Sequence, residues 1–272
     1  MCRVLEVNRS YYYDSIKREG QETSKQQQAL EKRVTELFEA HRQTYGSRRL
    51  TKALVSEGFQ VGRYRIRNLM KKLGLIVRYP KRFRATTDSQ HNYRIADNLL
   101  DRQFEVDVPN QVWTTDITYL WTNEGWLYLA IVVDLYSRQI IGWSIQNHMR
   151  TQLCIDALAM AWWRRKRPQG LLHHSDRGSQ YASHEYQARL KAFAMKPSMS
   201  RKGNCWDNSP TERIFRTLKS EWLSRFNFQS QQSAKQAVWD YMSYYNSQRA
   251  HSALGYLSPM EYEQEMAKRK TA

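Results

Sequence analysis

The sequence predicts an α/β protein, a mixed sheet flanked by helices and preceded by a small all-α helix-turn-helix domain. Three observations in the 272 residues predict it. Apolar residues recur at helical spacing from about Ser24 to Leu73. At Trp113 the pattern changes to β-type runs, and from Thr151 onward helical and strand segments alternate.

In the first part, Ser24 to Arg42 reads as a helix with Leu30, Val34, Leu37 and Phe38 on one face. A second helix runs from Ser47 to Glu57 around Leu50, Ala53 and Leu54, and Gly58 ends it by taking a left-handed cap. A third spans Gly62 to Leu73, with Ile66, Leu69, Met70 and Leu73 inward and Arg63, Arg65, Arg67, Lys71 and Lys72 on its other faces. Two short helices joined by a glycine turn, the second strongly basic, have helix-turn-helix form. The basic run continues through RYPKRFR, an extended arm that adds Arg82 and Arg84. Residues 1–85 thus form a helical region with its arm, and 86–111 a polar linker with one short helix. Beyond it, WTTDITYL is a strand, and LYLAIVVDLYSRQIIGWSI gives two more around a turn near Ser137. There follow a helix (Thr151 to Lys166), a strand at GLLHHSD, a helix (His184 to Ala194) and a short extended KPSMS. A loop from Arg201 to Ser209 leads to a helix from Pro210 to Leu223. Successive strands followed by β-α-β units are the element order of a ribonuclease-H-like fold, and residues 112–265 hold this core with a C-terminal helical extension.

Charge bounds the partner. Lys and Arg total 43 against 26 acidic residues, a formal net charge of +17, and such an excess points to a polyanion, most commonly nucleic acid. MCRVLEVNRSYYYD has no signal-peptide core, and the longest apolar stretch, Leu127 to Val133, is too short to span a bilayer. Cys2, Cys154 and Cys205 are widely separated and form neither a disulfide framework nor a CxxC zinc pair, which predicts a cytoplasmic setting without membrane association.

Three carboxylates occupy informative places: Asp116 in the middle of the first strand, Asp176 just past the fourth, and Glu212 in the first turn of the Pro210 helix. A carboxylate inside a buried strand is costly unless a cation compensates it, and converging carboxylates repel until divalent ions reverse the penalty. Each also has a plainer reading. Asp116 can lie on an exposed edge, Asp176 can be a turn residue, and Ser209-Pro-Thr-Glu212 fits a capping box. Lys219 follows Glu212 by seven residues, nearly two full turns, so the two share a face with Arg216 between them. That face serves equally as an i,i+4 ion pair or as a metal ligand followed by phosphate contacts. His173 and His174 lack the cysteine pair of a zinc site, and as strand neighbours they point to opposite faces. Asp134, Asp207 and Asn208 read as turn or cap residues, and Trp113 and Trp206 as core aromatics.

WTTDITYL, HSDRGSQY and SPTERIFRTLK resemble the three catalytic motifs of retroviral-integrase-like DDE transposases. The 35 residues between Asp176 and Glu212 (177 to 211) match that family's gap, and Lys219 its basic residue after the glutamate. More narrowly, HRQTYGSRRL with IRNLMKKLGL is similar to the accessory helix-turn-helix of the OrfB proteins of two-frame bacterial insertion sequences, and YYNSQRAHSALGYLSP to their C-terminal signature. The resemblance implies that Asp116, Asp176 and Glu212 are catalytic and bind two Mg²⁺ ions, with Mn²⁺ substituting. It implies cleavage at element ends and attack by a 3′-hydroxyl on a second strand. It further implies double-stranded DNA as partner, a homo-oligomer in the synaptic complex, an upstream-frame protein as partner or fusion, and a bacterial, nucleoid-associated location. A DNA-binding regulator without chemistry and a ribonuclease-H-type nuclease are the competing classes. The basic arm carries its own expectation: neutralising Arg82 and Arg84 weakens DNA binding across all sequences and flattens its salt dependence by about 0.9 log units per lost phosphate contact. Titrations at several salt concentrations check this, and loss confined to one sequence would show an arm that reads bases.

Overall fold

Leu30, Val34, Leu37 and Phe38 recur at helical spacing and need a partner surface, which two further helices supply. In the computed structural model, which describes residues 10, 13, 25–77 and 93–271, these helices are α1 (Lys25–Ala40), α2 (Ser47–Ser56) and α3 (Arg63–Lys72). They enclose Tyr45, Leu50, Leu54, Ile66, Leu69 and Met70, nearly all residues that the periodicity places inward. Gly58 takes a φ of +91° between α2 and α3, a conformation that favours glycine. Lys72 pairs with Glu31 at 2.8 Å and Arg65 donates to Gln27 at 2.7 Å, both tying α3 to α1. This is the first of two units, Met1–Arg78 and Tyr79–Ala272.

The second unit is a five-stranded sheet in the order β3-β2-β1-β4-β5. Its strands are β1 (Val112–Thr122), β2 (Gly125–Asp134), β3 (Gln139–Gln146), β4 (Leu172–Ser175) and β5 (Lys196–Met199). The first three run as an antiparallel meander, and β4 and β5 join parallel to β1. β2 is apolar on both sides because both sides are covered. Leu127, Leu129, Ile131 and Val133 pack against α7 (Ser209–Glu221) and α8 (Gln231–Ser247). Ala130 and Val132 face α4 (Thr151–Arg164), α5 (Ser179–Ala182) and α6 (His184–Ala192). Gly142 lets α4 lie directly on β3, since a Cβ there would stand 2.2 Å from the Ala157 carbonyl oxygen. α9 (Pro259–Thr271) is joined to the core through Glu263, which pairs with Arg165 and accepts from Ser137 at 2.6 Å. Among the described residues no helix is long and apolar enough to cross a membrane.

The mixed sheet flanked by helices, with a helical region before it, is the expected fold class, and the differences are local. The described residues of the 86–111 segment form no helix. That segment is instead laid along the sheet: Leu100 is buried, and the Leu99 and Leu100 amides donate to the Ser198 hydroxyl at 2.9 and 3.3 Å. The loop before α7 contains a 3₁₀ turn, Cys205–Asn208. Arg78, Arg82 and Arg84 of the basic arm lie outside the described residues.

β4 carries the two histidines into the interior. His173 meets the Tyr186 hydroxyl at 3.1 Å, and His174 lies between the Ser198 and Ser200 hydroxyls at 2.9 and 3.2 Å. Burial lowers them to about 3 and about 4 respectively, so both are neutral in the fold. Hydroxyl partners on both account for them as core residues. The unfolded chain takes up these protons near pH 6.5, so the stability they hold is present above that pH and lost as pH falls toward 4. The loss is roughly 3–5 kcal/mol per histidine. His173→Gln is expected to make the fall in Tm between pH 6.5 and 4 shallower; an unchanged slope in thermal melts would count against this.

Candidate active site on the sheet edge

β1 and β4 bring two acidic residues together. Trp113 pairs with His173 and Thr114 with His174. Asp116 and Asp176 each follow the last paired residues, Thr114 and His174, by two positions, and the Asp176 charge acts on Asp116. The β1–β4 pairing ends at Thr114 and His174, so from Thr115 onward β1 has a sheet partner only on its β2 side. Asp116 accepts from the Ile117 amide at 2.8 Å, and Asp176 from the Gly178 amide at 2.9 Å. A Cβ at residue 178 would stand 3.0 Å from the Asp176 carboxylate, a tight approach that glycine avoids.

Helix α7 brings the third. Its first turn is fastened to β1 by two buried bonds, Thr211 Oγ1 to Thr114 Oγ1 at 2.7 Å and Asn208 Nδ2 to the Thr115 carbonyl at 3.0 Å. The loop before it is pinned by Asp207, which is fully buried and accepts from Arg201, Arg102 and Asn98 at 2.9–3.1 Å. These cations hold the Asp207 carboxyl far below the usual carboxylate range. At its other end α7 is held by Glu221, which takes a two-pronged bond from buried Arg249 at 2.7 and 2.8 Å. The helix cap falls on Asn208, whose side chain makes no cap bond, so the Ser209-to-Glu212 capping box does not form.

The electrostatics of the three acids are linked. Burial, then the Asp176 charge and Glu212, push the Asp116 carboxyl well above its ordinary value, against the Ile117 amide and Lys219. Asp116 keeps some contact with solvent, but protein atoms crowd it closely enough for burial to dominate. Glu212 is raised by burial and by Asp176, with Arg216 opposing. Lys219 is lowered to about 8 by burial, with Asp116 pulling the other way, and its ammonium stands 4.8 Å from the centre of the Tyr119 ring. Among the described residues no three acidic, histidine or cysteine side chains converge closely enough to hold an ion by themselves. The hard carboxylate donors nevertheless suit Mg²⁺, which takes few protein ligands and completes its shell with water and phosphate oxygens.

The remaining expected residues are distributed as follows. Arg63, Arg67 and Lys71 are exposed on α3; Arg65 and Lys72 are exposed too but bond across to α1. Arg216 is exposed on α7. Trp113 is core, but Trp206 is not: it is 69% exposed, because the 3₁₀ turn that buries Asp207 turns its neighbour outward. Sequence reasoning did not find the Thr114–Thr211 contact, the loop-pinning role of Asp207 or the Arg249–Glu221 pair. Each joins residues at least 28 apart or a set of partners that only the fold assembles.

Two integrase core domain families match residues 107–205 and 194–259, and an HTH-like domain family matches 25–83. An insertion element IS600 31 kDa protein of Shigella sonnei is 42% identical over 263 residues, 96% of this chain and 97% of that protein. The transposase InsF for insertion sequence IS3A of Escherichia coli is 41% identical over 266 residues, 97% of this chain and 92% of that one. Among solved structures, a simian T-cell lymphotropic virus intasome in complex with a PP2A regulatory subunit aligns at 17% identity. Its TM-score is 0.51, over 84% of this chain and 73% of that one. The HTLV-2 integrase catalytic core domain, solved in complex with magnesium, aligns at 19% identity and a TM-score of 0.43, over 53% and 92%. At such identities the intasome likeness speaks for the fold alone, whereas the near-full-length bacterial relatives decide the family. With its HTH-like domain and integrase core, the chain belongs to the IS3-family transposases, which are DDE polynucleotidyl transferases.

Proposed function

We propose that Asp116, Asp176 and Glu212 are the catalytic and metal-binding residues of this transposase, holding two Mg²⁺ ions, with Mn²⁺ able to substitute. The observation that carries this reading is the mutual load on the acids, Asp116 being raised by both Asp176 and Glu212 in a chain of net charge +17. Bound divalent ions supply the charge that relieves this repulsion and stabilise both the attacking and the leaving oxygen of an in-line displacement. Asp116 and Asp176 offer hard oxygens from adjacent strands, and Glu212 offers a third from the helix. Lys219 and Arg216, farther along α7, meet the DNA phosphates. No covalent protein–DNA link is required, since water and then a DNA 3′-hydroxyl attack, and catalysis comes chiefly from positioning and electrostatics.

The DNA is double-stranded, both at the element ends and at the target. On α3, Arg63, Arg67 and Lys71 contact its phosphates, with Arg65 and Lys72 contributing from the side tied to α1, and Arg82 and Arg84 extend the contact along the arm. Holding two ends at once calls for a homo-oligomer, with the upstream-frame protein as a partner or fusion. The setting is the bacterial cytoplasm, at the nucleoid.

Labelled element-end DNA with Mg²⁺ tests the chemistry. Nicked and joined products are expected, and Asp116→Asn, Asp176→Asn and Glu212→Gln each lower their yield on the order of a hundredfold or more while DNA binding persists. Because each substitution removes one of the repelling charges, the variants should melt no lower than the parent without divalent ions. Variants that still join DNA would remove the triad from the chemistry; degradation of RNA–DNA hybrids without joining would point to a nuclease.

Lys219 gives a pH signature. It is charged below about 8 and loses its charge as pH rises through that value, so joining yield should fall over this interval. Lys219→Arg, charged throughout, is expected to hold its yield to higher pH. Parallel profiles for the two proteins would exclude Lys219 as the titrating group.

A further inference from the structure

The end of the β1–β2 hairpin carries aromatic surface that neither core of the second unit uses. Trp121 and Trp126 are cross-strand partners, 57% and 44% exposed, with ring centres 4.8 Å apart and edge to face. The Trp126 ring also meets Tyr119 edge-on at 5.2 Å, and Lys219 covers Tyr119. A path of contacts therefore leads from Lys219, whose charge Asp116 senses, through Tyr119 to the two tryptophans.

The hairpin does not depend on these rings for its shape. Its turn is fixed by the Asn123 amide on the Phe228 carbonyl at 3.0 Å, Asn123 Nδ2 on Gln229 at 2.6 Å, and the Gln231 amide on Glu124 at 2.7 Å. The indoles are thus presented on a rigid mount, which lowers the entropy lost when a flat ligand settles on them. Next to them stands a cation, in a chain of net charge +17, so the flat ligand that fits is one carried on a polyanion. Unpaired nucleobases stack on exposed indoles whatever their sequence.

We propose that Trp121 and Trp126 form a stacking platform for unpaired DNA bases beside the phosphate that Lys219 meets. This rests on the reading of Asp116 as the site of strand cleavage. Five residues of β1, about 17 Å of strand, separate Asp116 from Trp121. The odd spacing turns the two side chains to opposite faces, so the DNA strand rounds the β1 edge beside Lys219 and Tyr119. At about 3.4 Å per stacked nucleotide, the platform holds bases about five nucleotides from the scissile phosphate. Its role is to keep the element end frayed, so that the phosphate can enter between the carboxylates.

Fluorescence anisotropy with the full chain tests this, comparing a blunt duplex end with the same end opened by five unpaired nucleotides, one of them 2-aminopurine. The parent protein should prefer the opened end and quench the probe. Trp126→Ala and Trp121→Ala should lose that preference, about five- to a hundredfold in affinity for the opened end, with blunt-end affinity unchanged. Trp126→Phe, which keeps a ring, should retain most of it. Equal affinity of parent and alanine variants for the opened end, or equal loss on both ends at an unchanged melting temperature, would overturn the proposal. The measurement needs no divalent ion, so it stands or falls separately from the cleavage assays on Asp116→Asn.

Discussion

Asp116 lies just past the end of the β1–β4 pairing, where burial and the charge of Asp176, which follows β4, disfavour its ionisation, and the rest of the second unit is arranged to keep it there. A pair of carboxylates on flexible loops would swing apart toward water. Here β1 and the Ile117 amide hold the first, and the Gly178 amide holds the second. Glu212 arrives on a helix fastened at both ends, by Thr114 and Thr115 at its start and by Arg249 near its finish. The buried hydrogen bonds around the acids therefore act against a local repulsion as much as they add to stability.

The fold separates two uses of charge. Where a carboxylate is meant to stay ionised and structural, it is given cations: Asp207 has Arg201 and Arg102, and Glu221 has Arg249. Asp116 accepts from the Ile117 amide and Asp176 from the Gly178 amide, with Lys219 exerting a weak pull on Asp116. Asp134 is intermediate: Arg165 stands 3.3 Å away, yet burial raises it to about 6.

Much of this was legible in the chain itself. The unbroken apolar run of β2 announces a strand covered on both faces, and the three acids stand out because one falls mid-strand, one just past a strand and one in a helix's first turn, elements whose type can be read locally. The capping-box reading failed by one residue: Ser209 is already helical and Asn208 is occupied with β1, and neither fact is visible without knowing what lies beside the helix. Trp206 was misassigned because hydrophobicity says core, while a one-residue turn of backbone beside buried Asp207 decides outward. The short helix expected in the 86–111 linker does not form because that segment is held by long-range partners invisible locally, Asn98 on Asp207 and the Leu99 amide on Ser198. Residues whose meaning depends on a distant contact are the ones the sequence leaves open.

The double fastening of α7 also sets a length scale. Glu212 and Lys219 are seven residues apart on one face, about 10.5 Å along the axis, and neither end of the helix is free to slide. An acid stands at one end of that interval and a cation at the other, along a single rigid element. Lys219 in turn contacts Tyr119, on the strand that carries Asp116, so the same spacing is referred back to the sheet. Small errors in positioning reacting groups cost large factors in rate. A helix held at both ends and indexed against β1 meets that demand with ordinary hydrogen bonds and one buried ion pair.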